Sequence, residues 1–183
     1  MIKVIAFDLV GVLVTEKDID FSTEEDKLER MFGANISDAE YIKSASKIID
    51  NEQNIINITK EIINKLYAVK DKDLFKKIKE KNNDIKIVIA TNHVSFVKDF
   101  IYKHFDKTYI DDIFISAEIH KVKPNADFYK TILDKYNIKP NELLFIDDSQ
   151  TNIDGAKALK INTIKIEKDS NVSYEIINYL KNK

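Results

Sequence analysis

The chain has no cysteine and no tryptophan, and among its 183 residues only three are glycine and two are proline. Without cysteine there can be no disulfide framework, no zinc–thiolate site and no cysteine nucleophile, and nothing suggests an oxidising compartment. An average chain of this length would hold about 22 glycines and prolines together. Collagen-like and Gly/Pro-rich low-complexity readings are therefore excluded, and each Gly or Pro present should have a local reason. Arginine is nearly missing as well: Arg30 is the only one among 29 basic residues. A guanidinium clamp for phosphate is thus not at hand, and lysine must do that work. Charge of one sign is also lacking. The 29 basic and 31 acidic residues leave a net charge of −2, so no general electrostatic drive toward nucleic acid or an anionic membrane exists. The longest apolar stretch is about a strand long, far below the ~20 residues of a membrane span. The N-terminal run MIKVIAFDLVGVLV has one early lysine and no small-residue cleavage site, and it leads into charged residues. It reads as a buried strand rather than a signal peptide, and a cytoplasmic location is expected.

Apolar residues make up 44% of the chain and charged residues 33%, a soluble globular profile. A chain this long buries about 70% of its unfolded surface on folding. Four short runs rich in Ile and Val stand out at 2–7, 85–90, 143–146 and 161–166, with a weaker one at 112–116. Runs that are apolar almost throughout predict strands covered on both faces, as in a parallel sheet. Segments of helical period lie between them at about 72–82, 94–105, 124–136, 150–159 and 172–182, with Phe96, Phe100, Ile101 and Phe105 spaced for one helix face. Strands alternating with helices predict a doubly wound α/β domain. Residues 15–71 differ. They offer no strand candidate and three helical stretches, 23–32, 37–50 and 54–69. Ser37 with Glu40 forms a capping-box start, and Gly33 fits a helix C-cap. The expected organisation is a core of 1–14 and 72–183 with a helical insert of 15–71 after the first strand.

Ligands of open α/β sheets sit at the carboxyl ends of the strands. Asp8 follows the first strand, in FDLVGVL at 7–13. Thr91, Asn92 and His93 follow the second. Asp147, Asp148 and Ser149 follow the fourth, with Asn152 and Gly155 beyond. Lys123 and Pro124 lie between the third and fourth, where proline suits the first turn of a helix. Each residue taken singly has an ordinary explanation: a turn former, a helix cap or a surface lysine. Together they bring three carboxylates to one rim, where they repel one another unless protons or a cation intervene. A hard divalent cation such as Mg²⁺ removes the conflict.

Four motifs in this order, each at a strand end, resemble those of the haloacid dehalogenase-like superfamily of hydrolases. They are 7–13, 90–92, Lys123-Pro124, and 145–149 with Asn152 and Gly155. The resemblance covers 1–14 and about 72–183; the insert matches the family's helical C1 cap by position and helical character. It implies a three-layer, Rossmann-like parallel sheet and a phosphatase chemistry. In that chemistry Asp8 attacks phosphorus to form an aspartyl-phosphate. Mg²⁺ is held by Asp8, the backbone carbonyl of Val10 and the Asp147/Asp148 pair, with Asp148 inner and Asp147 acting through water. Thr91 and Lys123 bind the transferring phosphoryl group, with Asn92 and Gly11 lining the substrate site.

One position departs from the pattern. The family's phosphatases usually carry a second Asp two residues after the nucleophile, and Val10 stands there. Val still supplies a main-chain carbonyl, but a missing general acid costs about 10²–10⁴-fold. His93, Glu16, Asp18 or an insert residue could supply the proton instead, or the substrate could have a good leaving group. His93 has a tunable pKa; its ordinary role is as a capping or surface residue. His120 stands where relatives often have Gly and is assigned no role. The expected activity is Mg²⁺-dependent hydrolysis of a small phosphorylated metabolite by a monomer or homodimer, with no nucleic-acid or membrane partner. The alternatives are a catalytically weak binding protein and a 2-haloacid dehalogenase.

Overall fold

The computed structural model describes residues 1–33 and 37–181. Its centre is a five-stranded, all-parallel sheet formed by β1 (Val4–Phe7), β4 (Lys86–Thr91), β5 (Asp112–Ile115), β6 (Leu143–Asp147) and β7 (Asn162–Lys165), in the order β5-β4-β1-β6-β7. The strand β1 is central, with Ile5 beside Ile87 on one side and Leu144 on the other.

Residues alternate between the two faces of each strand, as the pleat requires. Ile5, Phe7, Ile87, Ile89, Leu144 and Ile146 enter one buried cluster, while Val4, Ala6, Val88, Ala90, Leu143 and Phe145 enter the other. The first face is covered by α4 (Leu74–Lys81), α5 (Val97–His104) and α9 (Val172–Lys181). The second is covered by α7 (Ala126–Tyr136) and α8 (Gln150–Ala158). Apolar material on both faces explains why these strands read as near-continuous hydrophobic runs.

Between 15 and 71 lie α1 (Thr23–Glu29), α2 (Asp38–Ala45) and α3 (Glu52–Leu66). The Ser37 hydroxyl accepts from Glu40 N at 3.3 Å, and the Glu40 carboxylate accepts from Ser37 N at 3.1 Å. Two expectations fail here. The stretch does contain strand: β2 (Val14–Glu16) pairs antiparallel with β3 (Tyr67–Val69). Each is three residues long and stabilised by a partner about fifty positions away, so neither has a periodicity to read. The third helix accordingly stops at Leu66, not 69. Gly33 is also not a C-cap. The first helix ends on Arg30 in right-handed conformation, and Gly33 lacks positive φ.

The helical stretch does not have a core of its own. Leu28, Phe32, Tyr41, Ile55 and Ile62 share one buried cluster with Phe100 and Ile101 of α5. Polar ties follow the same seam: Lys60 pairs with Asp99 at 2.6 Å, and Asp38 accepts from Ser95 N at 2.9 Å. The remaining short helix, α6 (Ser116–Ile119), ends on His120 at φ +53°. That left-handed position favours Gly. Among the described residues no helix is long and apolar enough to cross a membrane.

Candidate active site

The expected residues converge at the carboxyl end of the central strands. Asp8 N donates to Ile146 O at 2.8 Å, extending the β1–β6 ladder one residue past β1. Asp147 is the last residue of β6 and Thr91 the last of β4. The Lys123 ammonium bridges the first two carboxylates, 2.8 Å from Asp8 Oδ1 and 2.7 Å from Asp147 Oδ2. It also lies 5.4 Å from the centroid of the Phe145 ring. Its side chain is only 1% exposed, so a charge there needs such partners.

Lys123 is held in place by its neighbours. Asn92 clamps its backbone from both sides: Asn92 Nδ2 donates to Lys123 O and Lys123 N donates to Asn92 Oδ1, each at 2.9 Å. Bonded in this way at both ends, the Asn92 side chain fixes the position of the Lys123 backbone. Pro124 precedes α7, with Asn125 as N-cap, so it stands just outside the helix instead of in its first turn. A Cβ on Gly155 would lie 2.6 Å from Pro124 O. Glycine at this position therefore lets α8 approach the chain carrying Lys123.

Asp147 has both oxygens engaged. Oδ1 accepts from Ser149 N at 2.8 Å, and Asn152 Nδ2 reaches both oxygens at 3.1 Å. Asp148 is different: it is exposed and accepts no side-chain hydrogen bond among the described residues. Its carboxylate lies against Gly11, where φ is +83° and a Cβ would fall 2.2 Å from Asp148 Oδ2. Only glycine meets both conditions. The Val10 carbonyl accepts no backbone hydrogen bond among the described residues. Its side chain packs against the apolar cluster.

Asp8, Asp147 and Asp148 each offer an oxygen within 4.8 Å of the others. An all-oxygen donor set of this kind suits a hard divalent cation. The electrostatics point the same way. Burial pushes Asp8 up to about 6, Lys123 pulls it down and Asp147 pushes it up. Burial and then the Asp147 charge raise Asp148. Burial alone would lower Lys123, but the Asp8 and Asp147 charges reverse this and hold it above its ordinary value. One ammonium among three carboxylates leaves an excess of negative charge for a cation to offset.

Thr91 is 1% exposed, and its hydroxyl makes no hydrogen bond among the described residues. His93 is neither surface nor cap: it is buried, and its Nε2 lies 2.9 Å from the Tyr67 hydroxyl. Asn152, five residues after Asp147, belongs to the fourth motif read from the sequence. Sequence reasoning missed two participants, Tyr67 and Lys70. Neither had a local signal, because they arrive on the returning strand β3 and just after it, Lys70 donating to Gly11 O across 59 positions.

A family model for haloacid dehalogenase-like hydrolase matches residues 5–166. A curated relative, bifunctional epoxide hydrolase 2 of Rattus norvegicus, is 29% identical over 68 residues, covering 37% of this chain and 12% of that protein. The chain thus corresponds to a small part of that relative's length. Among solved structures, a predicted HAD-like family hydrolase from Porphyromonas gingivalis superposes with a TM-score of 0.76 at 21% identity over 100% of both chains. A HAD family enzyme from Bacteroides thetaiotaomicron, in complex with magnesium and inorganic phosphate, superposes with a TM-score of 0.71 at 18% identity over 96% of this chain and 99% of that one. The chain belongs to the haloacid dehalogenase-like hydrolase family.

Proposed function

We propose that the protein is a Mg²⁺-dependent phosphatase that hydrolyses a small phosphorylated metabolite through an aspartyl-phosphate on Asp8. The observation that carries this reading is the Lys123 ammonium bridging Asp8 and Asp147, with Asp148 open beside them. The Bacteroides enzyme of the same fold binds magnesium and inorganic phosphate, which supports the same reading. The cation would be held by Asp8, Asp148 and the Val10 carbonyl, with Asp147 behind; when bound it supplies positive charge against the phosphate oxygens.

An Asp8 carboxylate oxygen attacks phosphorus, and the bond from phosphorus to the leaving oxygen breaks. The Thr91 hydroxyl donates to a phosphoryl oxygen. Lys123 neutralises charge on that group and on Asp8. Water then attacks the acyl phosphate, orthophosphate departs, its proton goes to solvent and Asp8 is regenerated as a carboxylate. Fixed donors aimed at developing charge are the main source of catalysis here. Val10 gives no proton to the leaving group, and His93 is buried and pushed down to about 4, so it is uncharged at neutral pH. Substrates whose leaving group departs as a stable anion, such as acyl or aryl phosphates, are therefore the ones turned over fastest. The helical insert acts as a seated cap on this site.

The test is turnover of acetyl phosphate and p-nitrophenyl phosphate with and without Mg²⁺, together with intact-mass detection of a phosphorylated enzyme in a rapid acid quench. Asp8→Asn abolishes both signals. Phosphate binding without turnover would instead favour a weak, ligand-binding member of the fold. Metal-independent chloride release from 2-chloropropionate would favour a dehalogenase.

A further inference from the structure

The two sides of the site differ. On the β4 side, Phe32 and Tyr67 pack against the His93 ring, with centroids 5.1 and 5.9 Å away. On the β7 side, Asp148 is exposed and borders a cleft of about 300 Å³, also lined by Gly11, Lys70, Glu167 and Lys168. That volume suits a small ligand.

Two lysines of this cleft, Lys70 and Lys168, form no ion pair among the described residues. Glu167 is already taken by Lys165 at 2.8 Å, and Asp71, beside Lys70 in the adjoining cleft with Asp169, is taken by Lys77 at 2.7 Å. Lys70 donates to a carbonyl, Gly11 O, and not to an acid. Lys168 makes no ion pair among the described residues. It is nonetheless carried on a fixed turn. Ile166 N donates to Asp147 O at 3.0 Å, Glu167 N to the Ser170 hydroxyl at 3.0 Å, and Ser170 N to Glu167 O at 2.9 Å. Two lysines that form no ion pair among the described residues, one of them on a turn anchored to β6, flank the accessible edge of the metal-ligand trio, and the nearby Asp148 charge is the one a bound cation would take.

We propose that this cleft receives the part of the substrate beyond the phosphoryl group, and that Lys70 and Lys168 select a second anionic group there, a carboxylate or a phosphate. The proposal rests on the phosphatase reading and narrows its substrate class to small phosphate esters or anhydrides with an anion at the far end. A lysine reads such a group as a point charge, so either anion is accepted.

The experiment compares three aryl esters with Mg²⁺ present: 4-carboxyphenyl phosphate, 4-(phosphonomethyl)phenyl phosphate and the uncharged 4-carbamoylphenyl phosphate. One charge-assisted contact corresponds to about tenfold in affinity. The wild-type KM for at least one anionic ester is expected about tenfold below that for the carbamoyl ester, and which one gains more tells carboxylate from phosphate. Lys168→Glu should bring the KM ratio to one or invert it, and Lys70→Gln should reduce it. A wild-type ratio of one, or a ratio unchanged in Lys168→Glu, overturns the proposal and leaves the phosphatase reading intact. A parallel arm needs no turnover: calorimetry of Asp8→Asn with (4-carboxyphenyl)phosphonate against phenylphosphonate. If no ester is hydrolysed, the phosphatase reading fails. The cleft then stands if the carboxylate tightens binding in a Lys168-dependent way, and falls if it does not.

Discussion

The Tyr67 hydroxyl and His93 Nε2 lie 2.9 Å apart, both buried, and they join the returning strand β3 to the loop that follows Thr91. The direction of the bond is fixed by the other ring nitrogen. Nδ1 is 3.1 Å from Val94 O, an acceptor only, so Nδ1 carries the proton and Nε2 accepts from Tyr67. Tyr67→Phe removes the donor and leaves a buried nitrogen unsatisfied. A loss of about 1–3 kcal/mol is expected, measured by urea unfolding at pH 7.5. A loss below a few tenths of that figure would show that the bond does not tie these segments together.

The same histidine gives the protein a pH dependence with a definite sign. Burial holds His93 at about 4, against an ordinary 6.5, so between those values the unfolded chain binds the extra proton and the folded chain does not. Its contribution is complete above pH 6.5 and is lost as pH falls toward 4. It amounts to about 3 kcal/mol at full development. Asp8 works in the opposite sense. It is raised to about 6, and its contribution is present below its ordinary value and lost as pH rises through 6. The clean measurement is therefore a difference: unfolding free energy of wild type minus His93→Gln, from pH 7.5 to 4.5. That difference should shrink or reverse on acidification. A flat difference would mean that His93 takes up its proton at the same pH in the folded and unfolded chain.

The strands of the main sheet and the residues at their ends were legible in the sequence for one physical reason. A parallel strand covered on both faces must be apolar at nearly every position, so the polar residue that ends it is conspicuous. Asp8, Thr91 and Asp147 are such residues. The ribbon of β2 and β3 was not legible, because three-residue strands have no period and their pairing is long-range. Tyr67 and Lys70 reach the site through that ribbon and share its obscurity. Asn92 shows a related limit: a polar residue beside Thr91 suggests substrate contact, and only the fold reveals that the Lys123 backbone engages both ends of its amide.

Gly155 and Pro124 set how closely α8 can approach the Lys123 segment. An added Cβ would stand 2.6 Å from the Pro124 carbonyl oxygen; that oxygen belongs to the backbone and a Cβ has no torsion to turn it away, so something must move. Gly155→Ala is expected to destabilise by about 1–3 kcal/mol through overpacking, read by thermal unfolding. It should also lower turnover, since the displaced carbonyl belongs to the residue after Lys123. Gly33→Ala is the control, because nothing lies within 4 Å of its added methyl. Equal effects of the two substitutions would dismiss the packing argument.

Mg²⁺ should stabilise the folded protein, because the three carboxylates that repel one another exist as a cluster only in the native state. At a hundred times its Kd a ligand adds about 2.7 kcal/mol, which for a chain of this size raises Tm on the order of 5–10 °C. Asp148→Asn should remove most of that gain. In metal-free buffer the same variant should be as stable as wild type or more so, since burial and Asp147 both disfavour the Asp148 charge. Loss of stability in Asp148→Asn without metal, with an undiminished response to Mg²⁺, would separate Asp148 from the metal.

In the proposed phosphatase reaction, Val10 leaves the position two residues after Asp8 without an acid to protonate the leaving group. Its side chain joins the apolar cluster two residues after Asp8, and burial holds His93 down at about 4, uncharged at neutral pH. With no acid at this position, the rate should depend steeply on leaving-group pKa. Val10→Asp restores a carboxyl group there and should raise kcat for alkyl phosphates by up to about 10²–10⁴-fold, the usual range for general acid catalysis. Acetyl phosphate, whose leaving group departs as a stable carboxylate, should gain little. The measurement is the slope of log kcat against leaving-group pKa in both proteins, and it should flatten in the variant. Parallel slopes would mean that a different residue already delivers the proton.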